Sequence, residues 1–194
     1  MNAAFAQNSA ALWHPVKQDA FVASSKVRRN SFPKQAFYYQ LDLQKLKSML
    51  VDAPVRGHLI GRSPITIQFP MADGSFERFA VMESPIMHPE LAAKYPMIKT
   101  YAAQGIDDPT ATMRFSITQF GLHTMTLSGK HSTNYIDPYT SDRVNYIVYD
   151  KASLAGTPQN FECLLNEEVN LPSLRNDISN SVFETNDQIL RTYR

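Results

Sequence analysis

Apolar and polar residues alternate with period two through most of the middle of the chain. Ile65, Ile67 and Phe69, for example, alternate with Thr66 and Gln68. Because side chains two residues apart on a strand face the same side of a sheet, this alternation predicts strands with one buried face. The strands predicted from alternation or aromatic content cover residues 35–41, 65–69, 76–81, 97–102, 113–120, 123–128 and 143–149.

Turn signals separate these strands, and two segments have helical character instead. Asp73-Gly74 and Gly121 each lie between two predicted strands, which is typical of hairpins. Asp42 resembles a helix N-cap and is followed by apolar residues at helical spacing, which predicts a helix over residues 42–51. A second, shorter helix is predicted over residues 89–94, with a proline at its start.

The order of these elements predicts a mainly β protein with three regions. We expect an antiparallel β-sandwich or a partly open barrel, with one or two short helices, over residues 35–154. Residues 1–34 are small, polar and basic, which predicts a signal-peptide remnant and a flexible segment that becomes ordered only near Phe37. Residues 155–194 contain few apolar side chains, so we expect an extended C-terminal arm that needs another surface to lie on.

Composition restricts the partners. Hydrophobic residues make up 43% of the chain and charged residues 19%, which indicates a globular protein. Nineteen basic and eighteen acidic residues give a net charge of +1, which argues against a nucleic acid or a membrane as the main partner. The one basic run, Lys26-Val27-Arg28-Arg29, is interpreted as a solvated or mobile segment.

The first residues indicate export. Ala4-x-Ala6 resembles the small-residue cleavage site of a signal peptide, with Gln7 as the first mature residue. We therefore expect a secreted or periplasmic protein. Cys163 is the single cysteine, so it has no partner for an intrachain disulfide.

The sequence contains no motif of a known catalytic mechanism. His-Glu-x-x-His, Gly-x-Ser-x-Gly and the phosphate-binding loop are all missing, and the histidines at positions 14, 58, 88, 123 and 131 have no paired metal spacing. Asp107-Asp108 lies in a Gly-x-Asp-Asp-Pro context, which favours a turn. His123 lies in an alternating strand, which favours a structural histidine. The chain by itself is therefore not expected to be an enzyme.

Cys163 is the residue with the most reactive chemistry. A free cysteine is most often a small buried apolar residue. A thiolate is also a strong zinc ligand, and a cysteine on a flexible arm can occupy the open position of a catalytic zinc ion. From the residues alone, both interpretations remain open.

Several segments in order resemble the N-terminal propeptide of secreted bacterial reprolysin-like metalloproteases, which are zinc metzincins. The resemblance covers roughly residues 37–154. It is carried by Phe79-Ala80-Val81-Met82-Glu83-Ser84-Pro85 with Met87, Leu91 to Tyr95-Pro96-Met97-Ile98-Lys99-Thr100-Tyr101, Gly105-Ile106-Asp107-Asp108-Pro109, Met113-Arg114-Phe115, Gly121-Leu122-His123-Thr124-Met125, Tyr135-Ile136-Asp137-Pro138-Tyr139 and Tyr146-Ile147-Val148-Tyr149.

This resemblance implies a zymogen. The chain would assist the folding of a cognate metalloprotease catalytic domain, cover its cleft, and be removed by proteolysis; the full precursor would be a zinc metalloendopeptidase. The chain would bind no cofactor of its own, and Cys163 would ligate the partner's zinc as a cysteine switch. The sequence around it, Phe-Glu-Cys-Leu-Leu, departs from the Pro-Lys-Met-Cys-Gly-Val type of switch. The residues implied to contact the cleft are Phe161, Glu162, Leu164 and Leu165, and the candidate processing sites are Arg175, Arg191 and Arg194.

Two other hypotheses compete with the propeptide. The nine tyrosines and eleven phenylalanines are compatible with a non-catalytic β-sandwich module that binds carbohydrate or protein for an exported enzyme. A free-standing enzyme would pair Cys163 with a histidine such as His123, and would need both in one cleft.

Overall fold

A computed structural model describes residues 12–18, 21, 25–29, 32–57 and 63–154. All of these residues belong to one compact unit, Met1–Thr157. The strands are β1 (Trp13–Pro15), β2 (Phe37–Leu41), β3 (Thr66–Pro70), β4 (Phe76–Glu83), β5 (Lys99–Gly105), β6 (Thr112–Thr118), β7 (Gly121–Leu127), β8 (Asn134–Pro138) and β9 (Asn145–Asp150). The helices are α1 (Leu43–Met49) and α2 (Pro89–Lys94).

The nine strands form one antiparallel sheet in the order β1-β2-β9-β8-β7-β6-β5-β4-β3. Strands β3 to β9 follow one another as a meander, and β2 joins the far side of β9. The sheet curls until it is nearly closed into a barrel, which confirms the predicted fold class in its partly open barrel form.

The two edges of the sheet meet at Trp13. Its indole Nε1 on β1 donates a hydrogen bond to the backbone carbonyl of Gln68 on β3, at 3.0 Å. The ring also packs edge-on against Tyr39 and Tyr146, with centroids 6.3 and 6.1 Å away, and lies 6.2 Å from Phe69. The tryptophan therefore fills the gap that strand pairing leaves open.

Alternating residues of the strands fill the inside of the barrel. Glu77, Phe79 and Val81 share one face of β4 and point inward, and Phe79 and Val81 are fully buried. Helix α1 contributes Leu46 and Leu50 to the same core. The Asp42 side chain caps this helix by accepting a hydrogen bond from the backbone N–H of Lys45 at 2.9 Å, as its position in the sequence predicted.

The two predicted hairpins are confirmed. Gly74 has φ +86° between β3 and β4, and Gly121 has φ +103° between β6 and β7. These left-handed conformations are accessible to glycine because it lacks a Cβ. Strand β9 begins two residues later than predicted, since Arg143 adopts φ +62° in the preceding turn.

The expectation of a disordered segment before Phe37 is wrong where the structure describes it. Leu12 and Trp13 are buried in the core, at 0% and 3% exposure, and β1 pairs with β2. Strand β8 was not predicted either. The signal-peptide residues at positions 4–7 and the arm at 155–194 lie outside the described residues.

Candidate functional site

Asp137 lies at the centre of a hydrogen-bonded cluster on the outer face of the barrel. Its Oδ1 is 3.0 Å from His123 Nδ1 on the neighbouring strand. Its Oδ2 accepts from the Tyr149 hydroxyl at 2.7 Å and from the Arg29 guanidinium at 3.4 Å. Burial alone would raise the pKa of Asp137, but the hydrogen bonds from His123 and Tyr149 and the charge of Arg29 outweigh it and lower that pKa.

The basic run identified in the sequence is part of this surface. Arg29 lies over the Tyr149 ring, 5.0 Å from its centroid, and Lys26 lies 5.6 Å from the centroid of Tyr139. The backbone N–H of Val27 donates to the carbonyl of Tyr139 at 2.9 Å. The interpretation of this run as a solvated or mobile segment is therefore wrong for the side chains of Lys26 and Arg29, because the tyrosine-rich outer face of the sheet holds them.

His123 is a structural residue in this arrangement. Among the described residues, Asp137 is its one hydrogen-bond partner, and Ser116, opposite it on β6, does not bond to the ring. Cys163, the nucleophile of the enzyme hypothesis, lies outside the described residues. So do the proposed arm contacts and processing sites, namely Phe161, Glu162, Leu164, Leu165, Arg175, Arg191 and Arg194.

The adjacent carboxylates Asp107 and Asp108 serve the loop between β5 and β6, which confirms the turn interpretation. Asp107 forms an ion pair with Arg78, in which Arg78 Nη2 lies 2.5 Å from Asp107 Oδ1. Asp108 accepts hydrogen bonds from Ser128 and Thr110, which lower its pKa well below the usual range. Within the described residues, no group of three or more His, Cys, Asp and Glu side chains is placed to hold a metal ion.

A cleft of about 620 Å³ opens beside the start of α1, but its acidic groups already have local partners. Asp42 caps α1, and Asp142 Oδ1 accepts from the backbone N–H of Val144 at 3.0 Å. Lys47 and Arg143 are exposed at its edge. The two carboxylates therefore serve to cap a helix and a turn, and they do not indicate a binding site in this cleft.

A different part of the surface, between β4 and β5, exposes apolar side chains. Residues 85–98 form an excursion between β4 and β5, and Ser84 and Thr100 join its two ends. The backbone N–H of Ser84 donates to the carbonyl of Thr100 at 2.8 Å, and the Thr100 hydroxyl donates to the carbonyl of Ser84 at 2.7 Å. Helix α2 lies in this excursion and buries none of its residues.

Large apolar side chains are exposed along this excursion. Ile86 is 78% exposed and Met97 51%, and Leu91 and Tyr95 are exposed by 45% and 49%. Two adjoining grooves lie here: Ile86 lines the larger one, of about 410 Å³, and Met97 lines the smaller one, of about 260 Å³. Both grooves are lined by Pro96 and by the Glu83–Lys99 ion pair, and the smaller one continues to Val51, which is 77% exposed.

We call this region, Val51 with residues 85–98, the α2 surface. Soluble proteins rarely expose contiguous apolar patches without a partner. The sequence predicted the helix at 89–94 correctly, but its short apolar pattern does not reveal that none of its residues is buried. The α2 surface is therefore the candidate site for binding a protein.

No helix of the described residues is long and apolar enough to cross a membrane. Comparisons of the chain with protein families, with curated proteins and with solved structures found no match.

Proposed function

We propose that this chain is the prodomain of a secreted zinc metalloprotease, which keeps the catalytic domain latent and assists its folding. The observation that carries the proposal is the α2 surface, an exposed apolar face that a partner protein would cover. The partner is the cognate catalytic domain. The chain contributes binding and no catalytic step.

The position of this surface supports the proposal. Glu83, Pro85, Met87, Pro96 and residues 98–100 belong both to the segments that carry the resemblance to metzincin propeptides and to the lining of the larger groove. Exposed apolar residues such as Ile86 and Met97 contribute nothing to the core. A docking role gives these residues a function that the barrel alone does not.

The mechanism has two parts in this proposal. The barrel binds beside the active site through the α2 surface, and the arm that follows residue 154 places Cys163 at the catalytic zinc of the partner. The thiolate would occupy the coordination position that the attacking water needs. Cleavage at Arg175, Arg191 or Arg194 would separate the two domains and release the inhibition.

The test of docking is a pair of substitutions with a matched control. Ile86→Asp combined with Met97→Asp places two charges on the α2 surface, whereas Phe120→Asp places one on the exposed turn between β6 and β7, where Phe120 is 65% exposed. Loss of two interface anchors of about 2 kcal/mol each would weaken binding roughly a thousandfold. We expect this loss for the double variant and a change of less than threefold for Phe120→Asp.

Binding is measured by calorimetry with the separately produced catalytic domain, and circular dichroism establishes that each variant is folded. Equal binding by the double variant and the wild type would show that the α2 surface is not the docking face.

The alternative is a non-catalytic β-barrel module that binds carbohydrate or protein on behalf of an exported enzyme. The exposed aromatic residues Phe32 and Phe120 lie on separate segments, at 73% and 65% exposure. A different feature favours a binding module, namely a polar cavity at one end of the barrel.

A further inference from the structure

Four side chains that face the inside of the barrel carry buried polar atoms without a hydrogen-bond partner among the described residues. These atoms are Glu77 Oε2, the hydroxyls of Thr124 and Thr126, and both amide atoms of Asn134. Asn134 is 2% exposed and Thr126 1%. An unsatisfied buried polar group costs about 1–3 kcal/mol, so this cluster is out of place in an otherwise apolar interior.

Strand register brings these groups to one end of the barrel. Thr126 on β7 is opposite Asn134 on β8, and Asn134 is opposite Asp150 on β9. Directly opposed residues of an antiparallel pair project to the same face. The three side chains therefore form a polar row across three neighbouring strands, and Glu77 of β4 faces into the barrel at the same end.

A cavity of about 270 Å³ is lined by Asn134 and Asp150 of this row, and we call it the barrel mouth. Buried Asn134 lies at its floor, while Gln35, Asp73 and His131 are exposed at its rim. Since a water molecule takes about 30 Å³, the barrel mouth has room for a ligand of only some nine water volumes. It fits a small molecule or a single side chain.

The charge of the barrel mouth is negative. The carboxylates of Asp73, Glu77 and Asp150 line it, and His131 is the one basic side chain among the described residues of the lining. Burial raises the pKa of Glu77, and the neighbouring carboxylates Asp108, Asp73 and Asp107 raise it further, although His131 acts in the opposite direction. A cation beside Glu77 would compensate for the water that its carboxylate has lost.

We propose that the barrel mouth binds a primary ammonium group, carried by a small amine or by a lysine side chain. An ammonium has three N–H donors, two of which suit the acceptors Glu77 Oε2 and Asn134 Oδ1 in this lining. The Asn134 amide nitrogen is a donor and needs an acceptor, which the amide carbonyl of a lysine derivative can supply, whereas 1,4-diaminobutane and a bare metal ion cannot. This site is separate from the α2 surface and does not depend on the prodomain proposal.

The experiment follows the side-chain amide of Asn134 by NMR in ¹⁵N-labelled protein of residues 1–194. The chain is titrated with 1,4-diaminobutane, with Nα-acetyl-lysine amide, and with 1,4-butanediol as a neutral control of similar shape. We expect at least one amine to shift the Asn134 signal saturably, and the diol to bind at least tenfold more weakly. A response to diaminobutane alone identifies a free amine as the ligand type, and a response to the lysine derivative alone identifies a peptide.

Substitution tests the role of Glu77. We expect Glu77→Gln to weaken amine binding at least tenfold, and Asp52→Asn, which removes an exposed carboxylate after α1, to leave it unchanged. If Glu77→Gln does not fold, the wild-type titration decides by itself. Equal affinity for diol and diamine, an unmoved Asn134 signal, or tighter binding of Ca²⁺ at the same resonances would each overturn the proposal.

Discussion

The closure of the barrel by Trp13 leads to a prediction about stability. Trp13→Ala removes a 3% exposed indole that packs on Tyr39, Phe69 and Tyr146 and donates to the carbonyl of Gln68. Truncation of a buried tryptophan to alanine costs about 3–5 kcal/mol, and the lost hydrogen bond adds about 1 kcal/mol. We therefore expect a loss of about 5 kcal/mol, which is comparable to the entire stability of many domains.

Trp13→Phe gives a smaller and more easily measured change. It keeps an aromatic ring in contact with its neighbours but removes the N–H donor and part of the ring, so we expect a loss of about 2 kcal/mol. His14→Ala is the control, because His14 is exposed on the same strand and should change stability by less than about 0.5 kcal/mol.

The assay is urea unfolding followed by far-ultraviolet circular dichroism, because Trp13 is the one tryptophan of the chain and fluorescence would lose its probe. A free energy of unfolding for Trp13→Ala within 1 kcal/mol of the wild type would refute the account. It would mean that β1 is not part of the cooperative fold.

Two further predictions concern a glycine and a tyrosine. A Cβ at Gly105 would collide with the backbone carbonyl of Asp108, so Gly105→Ala should cost about 3 kcal/mol in chemical unfolding, whereas Gly57→Ala, with open space around it, should cost under about 1 kcal/mol. Burial, aided by the hydrogen bond to Asp137, raises the pKa of Tyr149 to about 12. Because an unfolded tyrosine ionises near pH 10, this contribution to stability is complete below pH 10 and is lost as the pH rises towards 12. Between pH 9 and pH 11, the free energy of unfolding should therefore fall by about 1 kcal/mol more in the wild type than in Tyr149→Phe; equal losses would contradict the assignment.

Local signals in the sequence predicted most of the barrel. The turns at Gly74 and Gly121 and the alternation on β4, β6 and β7 depend on neighbouring residues, so they can be identified without knowledge of the fold. Helix α1 was likewise predicted from its Asp42 cap. The limits of β5 shifted because Met97 belongs to the exposed excursion, while the strand itself runs on to Gly105.

The two missed strands depend on distant partners. Strand β1 has three residues, too few for a period to be recognised, and it forms because Trp13 fits between Tyr39 and Tyr146. Strand β8 alternates correctly, but its inward residues include Asn134 and Pro138, which are not typical of a buried strand face.

The two candidate sites, like the missed strands, depend on residues that are distant in the sequence. The exposure of the α2 surface depends on how the other described residues fold, and no local pattern encodes this. The barrel mouth joins Glu77 to Asn134, 57 positions later in the sequence, and the closure of the barrel brings the two together. The role of Cys163, which lies outside the described residues, stays a prediction.

Inhibition in trans tests the central claim most directly. The chain is added to the separately produced catalytic domain, and the hydrolysis of a peptide substrate is compared for the wild type and Cys163→Ser. The proposal predicts strong inhibition by the wild type and inhibition at least tenfold weaker by the variant. Equal inhibition by both would retain the prodomain but contradict the zinc switch. Absence of inhibition by the wild-type chain would contradict the prodomain function itself.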